Sequence, residues 1–241
     1  MLVIGLSQFN FTPQNFGLRR NYLYETITTT YSIDDKLGTI FPNASCMGIR
    51  LEENNKIIIN PYPSTTTYKN LSENNFIAIN FVNDVYLFAL AALKDPDSLI
   101  GLTEFPSKYY EFQYLEPLEM DVPYIQKAWC ILIGKVSEEL QKTKQDSFGE
   151  VMIPVFVLDV IFAKKISNSF NYINRAENLA IESIILATRL KLAKNLNKKV
   201  LFCQIHEQII SHIENIERFG RNKRALKAIE IVGKYVKKLL D

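Results

Sequence analysis

The amino-acid sequence predicts an α+β protein, with an antiparallel β-rich body in about its first 165 residues and a helical element after it. Segments rich in β-branched and aromatic residues recur between turn signals up to residue 163, which is typical of short strands. After residue 168 the apolar residues recur with the helical period of about 3.6. Hydrophobic residues make up 47% and charged residues 22% of the 241 residues, as in a folded globule.

The β-rich body is expected to follow an N-terminal arm, residues 1–20, that holds at most one short strand. Turn residues at 34–38 and 54–55 separate the first three strands, so that two successive hairpins form an antiparallel meander. Pro154 predicts an edge or bulged position for the last strand, because proline cannot donate to a ladder. The expected strands cover residues 22–30, 40–51, 56–60, 76–82, 129–140 and 151–163.

Helices are predicted where capping residues precede a suitable apolar pattern. Within the body, hydroxyl residues open a short helix at 65–71, and Asn83 or Asp84 opens another at 84–93. Asn174 begins a capping-box-like segment, and Gly220 follows the second C-terminal helix as its expected C-terminal cap. The C-terminal helices are expected at 174–193, 201–219 and 225–239. The sequence thus predicts a first domain at 1–168 and a three-helix subdomain at 169–241.

Several classes of protein do not fit this sequence. Cys46, Cys130 and Cys203 are far apart and odd in number, which predicts no disulfide framework and favours a reducing, cytoplasmic location. Cys203 lies in an apolar stretch, where we expect an inert thiol. We expect no secretory leader, because the first residues lack a basic stretch followed by an apolar one, and no apolar run reaches the ~18 residues of a membrane helix. We therefore expect no membrane partner.

Metal and nucleotide motifs are also missing from the sequence. The two histidines, His206 and His212, are six residues apart and fall on different faces of a helix, so we expect no metal site. Neither a dinucleotide-binding glycine motif nor a P-loop is present. No catalytic residue can be named from the sequence, and any chemistry is expected to come from a cofactor.

Charge is unevenly distributed along the chain. The net charge is +2, but residues 186–241 carry 13 basic and 5 acidic side chains. Such a segment could contact nucleic acid or an acidic partner, although lysines and arginines on solvated helix faces explain it as well. The small net charge does not favour a nucleic-acid partner.

The most unusual segment of the chain is residues 61–70, with four consecutive hydroxyl residues at the start of a predicted helix. Free amides and the positive end of the helix dipole favour an anion there. Hydroxyl groups of Ser64, Thr65 and Thr67 could complete a phosphate cradle, and an ordinary helix cap is the alternative explanation.

The preceding strands carry two further signals. Residues 43–48 place small side chains in the middle of a strand, where a flat ring could lie against the backbone, or where a bulge or barrel corner could form. Thr26, Thr28 and Thr30 are predicted to share one face of the first strand, which a half-exposed strand would also explain.

Residues 24–29, 43–48, 61–71 and 80–81, together with 174–177 and 187–190, resemble an archaeal family of uncharacterised proteins, domain-of-unknown-function family 447. The resemblance implies the FMN-binding split-barrel fold, similar to flavin reductases and pyridoxamine-phosphate oxidases, and a homodimer. It implies non-covalent FMN. The family tends to have proline where this chain has Cys46.

The resemblance also implies which residues bind the cofactor. The phosphate would lie at Ser64, Thr65, Thr66 and Thr67, with Lys69 or Asn70 assisting. The ring would lie along Asn43, Ala44, Ser45, Cys46 and Met47, and Tyr62 belongs to the same set. Residues expected to begin the fifth strand are candidates to reach the flavin of a second subunit: Tyr124, Gln126, Lys127 and Trp129.

Three functions follow from these patterns. The first is a homodimeric, flavin-dependent oxidoreductase that uses a reduced pyridine nucleotide or another small donor, with an unknown substrate. The second is a non-catalytic binding protein that dimerises through the barrel and contacts a partner through its basic helices. The third is a split barrel that holds another ligand, such as haem or a deazaflavin.

Overall fold

The computed structural model describes residues 11–20, 23–34, 36–94, 103–146, 149–169, 175–219 and 222–240. The chain forms two compact units, residues 1–82 with 107–169, and residues 83–106 with 170–241. Residues 83–106 thus group with the C-terminal helices, while the domain boundary at residue 168 stays a prediction.

The first unit is built on a closed six-stranded antiparallel barrel. The strand order around it is β1-β2-β3-β8-β7-β4, with β4 paired back to β1. Its helix α1 covers Thr66–Asn74, between β3 and β4. The strands are β1 (Leu23–Ile33), β2 (Ile40–Leu51), β3 (Ile57–Ile59), β4 (Phe76–Phe81), β5 (Tyr110–Leu115), β6 (Met120–Ile125), β7 (Cys130–Asp146) and β8 (Gly149–Lys165). The predicted antiparallel barrel is confirmed.

Alternation along the strands builds the barrel core. Successive side chains of a strand point to opposite faces, so every second residue turns inward. Ile57 and Ile59 on β3, and Ile77 and Ile79 on β4, are all fully buried in one apolar cluster. Leu71 from the inner face of α1 joins the same cluster, which packs the helix onto the barrel.

The hairpin of β7 and β8 is longer than the other strands, with 17 residues in each. β4 pairs with β7 only as far as Lys135, and β3 pairs with β8 at residues 156–158. Beyond those pairs, residues 140–146 and 149–155 pair with each other, and we call this part the arm. Pro154 lies in the arm, so the predicted edge position holds for this half of β8, whereas the other half is flanked by β3 and β7.

A two-stranded sheet of β5 and β6, which the sequence analysis did not predict, lies against β1 and β4. The expectation that Tyr124, Gln126 and Lys127 begin a fifth strand is wrong. Tyr124 lies inside β6, and Gln126 and Lys127 form the turn that follows this strand. Trp129 immediately precedes β7 and packs on Phe81, with ring centroids 5.6 Å apart.

Asn80 joins the two sheets of the first unit. Its side-chain nitrogen donates to the carbonyl oxygen of Ile27 at 2.8 Å, and its side-chain oxygen accepts from the amide of Ile125 at 2.8 Å. Nearby, the hydroxyl of Thr29 donates to the carbonyl oxygen of Pro123 at 2.5 Å. β6 is thus held on β1 and β4 through side chains that reach its backbone.

The second unit is helical. It contains α2 (Val85–Ala92), α3 (Arg175–Asn195), α4 (Lys199–Phe219) and α5 (Lys223–Leu240). The three predicted C-terminal helices are therefore present, although the expected caps at Asn174 and Gly220 lie outside the described residues. Cys203 on α4 is exposed rather than surrounded by its apolar sequence neighbours, and the expected inert thiol stays a prediction. None of the helices within the described ranges is long and apolar enough to cross a bilayer.

Candidate functional site

The candidate site begins at the N-terminus of α1, which Thr65 caps. The Thr65 hydroxyl oxygen accepts from the Tyr68 amide at 3.2 Å, and the same hydroxyl donates to the Tyr62 carbonyl oxygen at 2.7 Å. The carbonyl of Thr65 accepts the amide of Lys69. Thr65 is therefore an N-cap, which was the alternative explanation, and its hydroxyl proton is already used within the protein.

The cap leaves the amides of Thr66 and Thr67 without an acceptor inside the helix. Ser64, Thr66 and Lys69 are exposed beside them. Amides that point out of a helix N-terminus, with hydroxyl groups around them, attract anions. The exposed side of this terminus thus has the chemistry that the sequence predicts.

The buried side of α1 bonds to β2. The hydroxyl oxygens of Ser45 and Thr67 are 2.7 Å apart, and the Asn43 side-chain nitrogen donates to Thr67 at 3.3 Å. Ser45 also lies 3.2 Å from the hydroxyl of Thr28 on β1. We call Thr28, Asn43, Ser45 and Thr67 the hydroxyl cluster. Three of its members are among the predicted site residues.

The threonine stripe of β1 lies on the same face as this cluster. Thr26, Thr28 and Thr30 are at most 1% exposed, so the strand is buried rather than half-exposed. Thr26 donates to the Met47 carbonyl at 2.9 Å, and Asn70 of α1 donates to Thr30 at 3.2 Å. No buried side-chain nitrogen or oxygen among the described residues lacks a hydrogen-bond partner. The hydroxyls thus fasten α1 and β2 to β1.

The other predicted site residues do not lie together in the structure. Ala44 and Cys46 alternate with Ser45 and so lie on the other face of β2, where Ala44 is fully buried and Cys46 is half-buried. Asn70 is buried under α1. The ring of Tyr62 turns to the arm, where Lys144 donates to its hydroxyl at 2.8 Å. Sequence reasoning missed Lys144 because 82 residues separate it from Tyr62.

Burial governs the titration of three groups in the first unit. It raises the pKa of Tyr31 to about 12 and, despite the nearby Lys165, that of the Cys130 thiol to about 12. Burial also raises the pKa of Tyr124 to about 12, assisted by the hydrogen bond it donates to Glu111. All three groups are neutral at physiological pH, and Cys130 is not a nucleophile.

Within the described stretches of chain, no group of three or more histidine, cysteine, aspartate or glutamate side chains is arranged to hold a metal ion.

Comparisons with known proteins give three findings. Residues 24–132 match the family model described as "Protein of unknown function (DUF447) N-terminal domain". The uncharacterised protein MJ1453 of Methanocaldococcus jannaschii is 24% identical over 148 residues, which cover 61% of this chain and 67% of that protein. The crystal structure of the FMN-bound protein MM1853 of Methanosarcina mazei, also assigned to DUF447, superimposes with a TM-score of 0.68 at 18% identity. That match covers 93% of this chain and 100% of the other.

Proposed function

We propose that this chain, whose residues 24–132 match the model of the DUF447 N-terminal domain family, is a flavoprotein that binds FMN. The observation that carries the proposal is the position of the α1 N-terminus against β2, where Ser45 and Thr67 are 2.7 Å apart. It brings an anion-binding helix end next to the stretch of small residues suggested for the ring. The fold shared with the FMN-bound protein of Methanosarcina mazei supports the same assignment.

The residues present fit the phosphate of FMN. The amides of Thr66 and Thr67 are donors that find no acceptor within the helix. The exposed side chains of Ser64, Thr66 and Lys69 add hydroxyl groups and a positive charge beside these amides. Thr65 contributes by capping the helix and so keeps those amides in position. The side chains of Thr67 and Asn70 support the helix from its buried side, because they are hydrogen-bonded to β2 and β1, respectively.

The ring of the flavin is assigned to β2 between Asn43 and Met47. Ser45 and Cys46 are small and half-buried, which would let a planar group approach the backbone beside them, whereas the preceding Ala44 is fully buried in the first unit. The half-buried Cys46 takes the place where the family tends to have proline. A bound FMN would supply electron or hydride transfer, and the chain would hold it and limit its access to water.

We further propose that the protein works as a homodimeric oxidoreductase that accepts electrons from a reduced pyridine nucleotide or another small donor. This rests on the family resemblance and on the flavin assignment. Sedimentation equilibrium, with and without FMN, measures the oligomeric state. Anaerobic mixing of the FMN-loaded protein with reduced nucleotides and following the loss of flavin absorbance tests the donor. A stable monomer that no donor reduces would contradict this part of the proposal.

The direct test of FMN binding is calorimetric titration of the purified full chain, with riboflavin as the matched ligand that lacks the phosphate. We expect FMN to bind at least about tenfold more tightly than riboflavin, because the phosphate gains charge-assisted hydrogen bonds at α1. Equal affinities would remove the phosphate assignment. Failure of both FMN and riboflavin to bind would remove the flavoprotein proposal.

A second candidate function is a non-catalytic protein that contacts an anionic partner through α5. The exposed residues Lys223, Lys227, Lys234 and Lys237 form a stripe along this helix, interrupted by Glu230. Glu230 pairs with Lys234 at 2.8 Å, which neutralises one of the four charges. Binding to a DNA duplex at low salt that weakens steeply as salt rises would support this candidate, and no binding at low salt would exclude it.

A further inference from the structure

The hydrogen bonds of the hydroxyl cluster run in one direction. The Asn43 side-chain nitrogen donates to the Thr67 hydroxyl at 3.3 Å, so the Thr67 proton goes to the other partner of that hydroxyl, Ser45, at 2.7 Å. Ser45 then donates to the Thr28 hydroxyl at 3.2 Å, and Thr28 donates to the carbonyl oxygen of Ser45 at 3.3 Å. In this order each hydroxyl of the cluster gives its proton to a neighbour.

Thr67 is held at two points by this order. Its oxygen accepts from Asn43 and its proton goes to Ser45, and both partners belong to β2. Thr67 is also the second residue of α1, and its amide is one of those that find no acceptor within the helix. A helical turn moves as one unit, because its carbonyls are hydrogen-bonded to the amides of the next turn. The side-chain bonds of Thr67 to β2 therefore fix where the free amides of the first turn lie.

Other contacts that dock α1 on the barrel lie beyond its first turn. Asn70 donates to the Thr30 hydroxyl at 3.2 Å. Asn74 donates to the Tyr31 carbonyl oxygen at 2.7 Å, and Leu71 packs in the core cluster of the barrel. These contacts hold the second turn and the end of the helix against β1 and the core. Loss of the hydroxyl pair at the first turn is therefore expected to loosen that turn and to leave the helix docked.

The cap at Thr65 shapes the first turn without placing it on the barrel. The partners of its hydroxyl are Tyr62 and Tyr68, each three residues away in the same segment. Ser45, in contrast, lies 22 residues before Thr67 and belongs to the strand proposed for the ring. The contact between Ser45 and Thr67 thus relates the free amides to that strand, whereas the cap relates them to their own segment.

We propose that Ser45 is a positioning residue for the phosphate of FMN and that it acts through Thr67. The inference rests on the proposed function, and it adds that one hydroxyl pair couples the strand of the ring to the amides of the phosphate. Without the Ser45 hydroxyl, the Thr67 proton loses its acceptor in the cluster, and the side chain can turn to another rotamer. The first turn is then no longer pre-organised for a phosphate whose place is set by the ring.

The test measures by calorimetry how much more tightly the full chain binds FMN than riboflavin, which lacks the phosphate. In Ser45→Ala we expect this ratio of affinities to fall by about fivefold or more, because the phosphate loses its pre-organised donors. The riboflavin affinity should stay as in wild type, since alanine is as small as serine beside the ring. The matched control is Thr30→Val, which removes the buried partner of Asn70 one turn later in α1 and should keep the wild-type ratio.

Each outcome decides the inference. If wild type prefers FMN and Ser45→Ala keeps that preference, the inference is overturned and the proposed function stands. Equal losses of FMN and riboflavin affinity in Ser45→Ala, or an equal fall of the ratio in Thr30→Val, also overturn it, because the effect is then a general loosening.

The same titrations separate this inference from the proposed function. A wild type that binds FMN and riboflavin equally overturns the inference together with the phosphate assignment, and a wild type that binds neither removes the flavoprotein proposal as well. Circular dichroism verifies that the variants are folded. Thr67→Val breaks the same hydroxyl pair from the helix side, and it decides by the same ratio if Ser45→Ala does not fold.

Discussion

Ser45 on β2 and Thr67 on α1 are joined through their hydroxyl groups, whose oxygens lie 2.7 Å apart. Thr67 is 2% exposed, so this contact is inside the protein. It fixes the distance between the helix start, which offers free amides, and the strand proposed for the ring. The first prediction concerns this contact.

Replacing Thr67 by valine keeps the shape of the side chain and removes its hydroxyl. Ser45 and Asn43 then lose a buried partner, and we expect the free energy of unfolding to fall by about 1 to 3 kcal/mol. Urea denaturation measures the change. The matched control is Thr66→Val, one residue earlier and exposed, for which little change is expected. Equal stabilities of the two variants would show that the buried hydroxyl contributes nothing.

Thr66→Glu tests the proposed phosphate site. A carboxylate at the first helical residue interacts favourably with the helix dipole, so the fold should be retained. The same carboxylate repels a phosphate dianion, and we expect FMN affinity to fall by about tenfold or more. Thr66→Gln is the neutral control, and both are titrated calorimetrically with FMN and riboflavin. The phosphate assignment is wrong if Thr66→Glu binds FMN as tightly as Thr66→Gln does.

Asn80→Ala is expected to detach β6 from the barrel locally. The substitution leaves the amide of Ile125 without its acceptor and removes the donor to Ile27, which we expect to lower the free energy of unfolding by about 2 to 4 kcal/mol. Hydrogen exchange at the Ile125 amide should become faster, and this rate reports directly on the hydrogen bond between Ile125 and Asn80. An unchanged exchange rate at Ile125 would contradict the bridging role.

Tyr124 makes stability depend on alkaline pH. Its pKa is raised from 10.0 to about 12 in the folded protein, so the unfolded chain releases this proton first as the pH rises. The associated stability is present below pH 10.0 and is lost as the pH rises toward about 12. This loss of stability is measured by the urea midpoints of wild type and Tyr124→Phe at pH 9 and above. We expect the midpoint of the variant to decline less as the pH rises. Tyr31 and Cys130, whose pKa values are also raised to about 12, cause the decline that remains.

A decline as steep in Tyr124→Phe as in wild type would assign the alkaline effect to the other groups.

The strands that alternate regularly could be predicted from the sequence. Residues 40–51 were expected as a strand, and β2 has those bounds. The helix after the proline-rich turn was also expected, because Thr65 is a good cap. β5 and β6 were missed, since Pro117 and Pro123 interrupt the pattern and the pair is held by Asn80 and Thr29, 40 or more residues earlier in the chain.

The candidate site was predictable only in part. Side-chain type and the helix cap point to residues 64–67, and the structure puts Ser45 and Asn43 beside Thr67. The roles of Thr26, Thr28 and Thr30 depend on which face of β1 is covered by α1, which alternation alone does not determine. Lys142 and Lys144 could not be identified from the local sequence, because their contacts with Asn60 and Tyr62 arise only when β8 pairs with β3.

The pairing of the arm determines how the β7–β8 hairpin can be shortened. Residues 140–146 and 149–155 pair with each other and lie beyond the pairs with β3 and β4, so trimming them spares the barrel ladder. Removing one residue from each strand turns the next side chains over, whereas removing two from each restores their direction. Removing two residues from each strand on the barrel side of Lys142 should put Lys144 in the place of Lys142, opposite Asn60, whereas removing one should put Thr143 and Gln145 in the places of the two lysines.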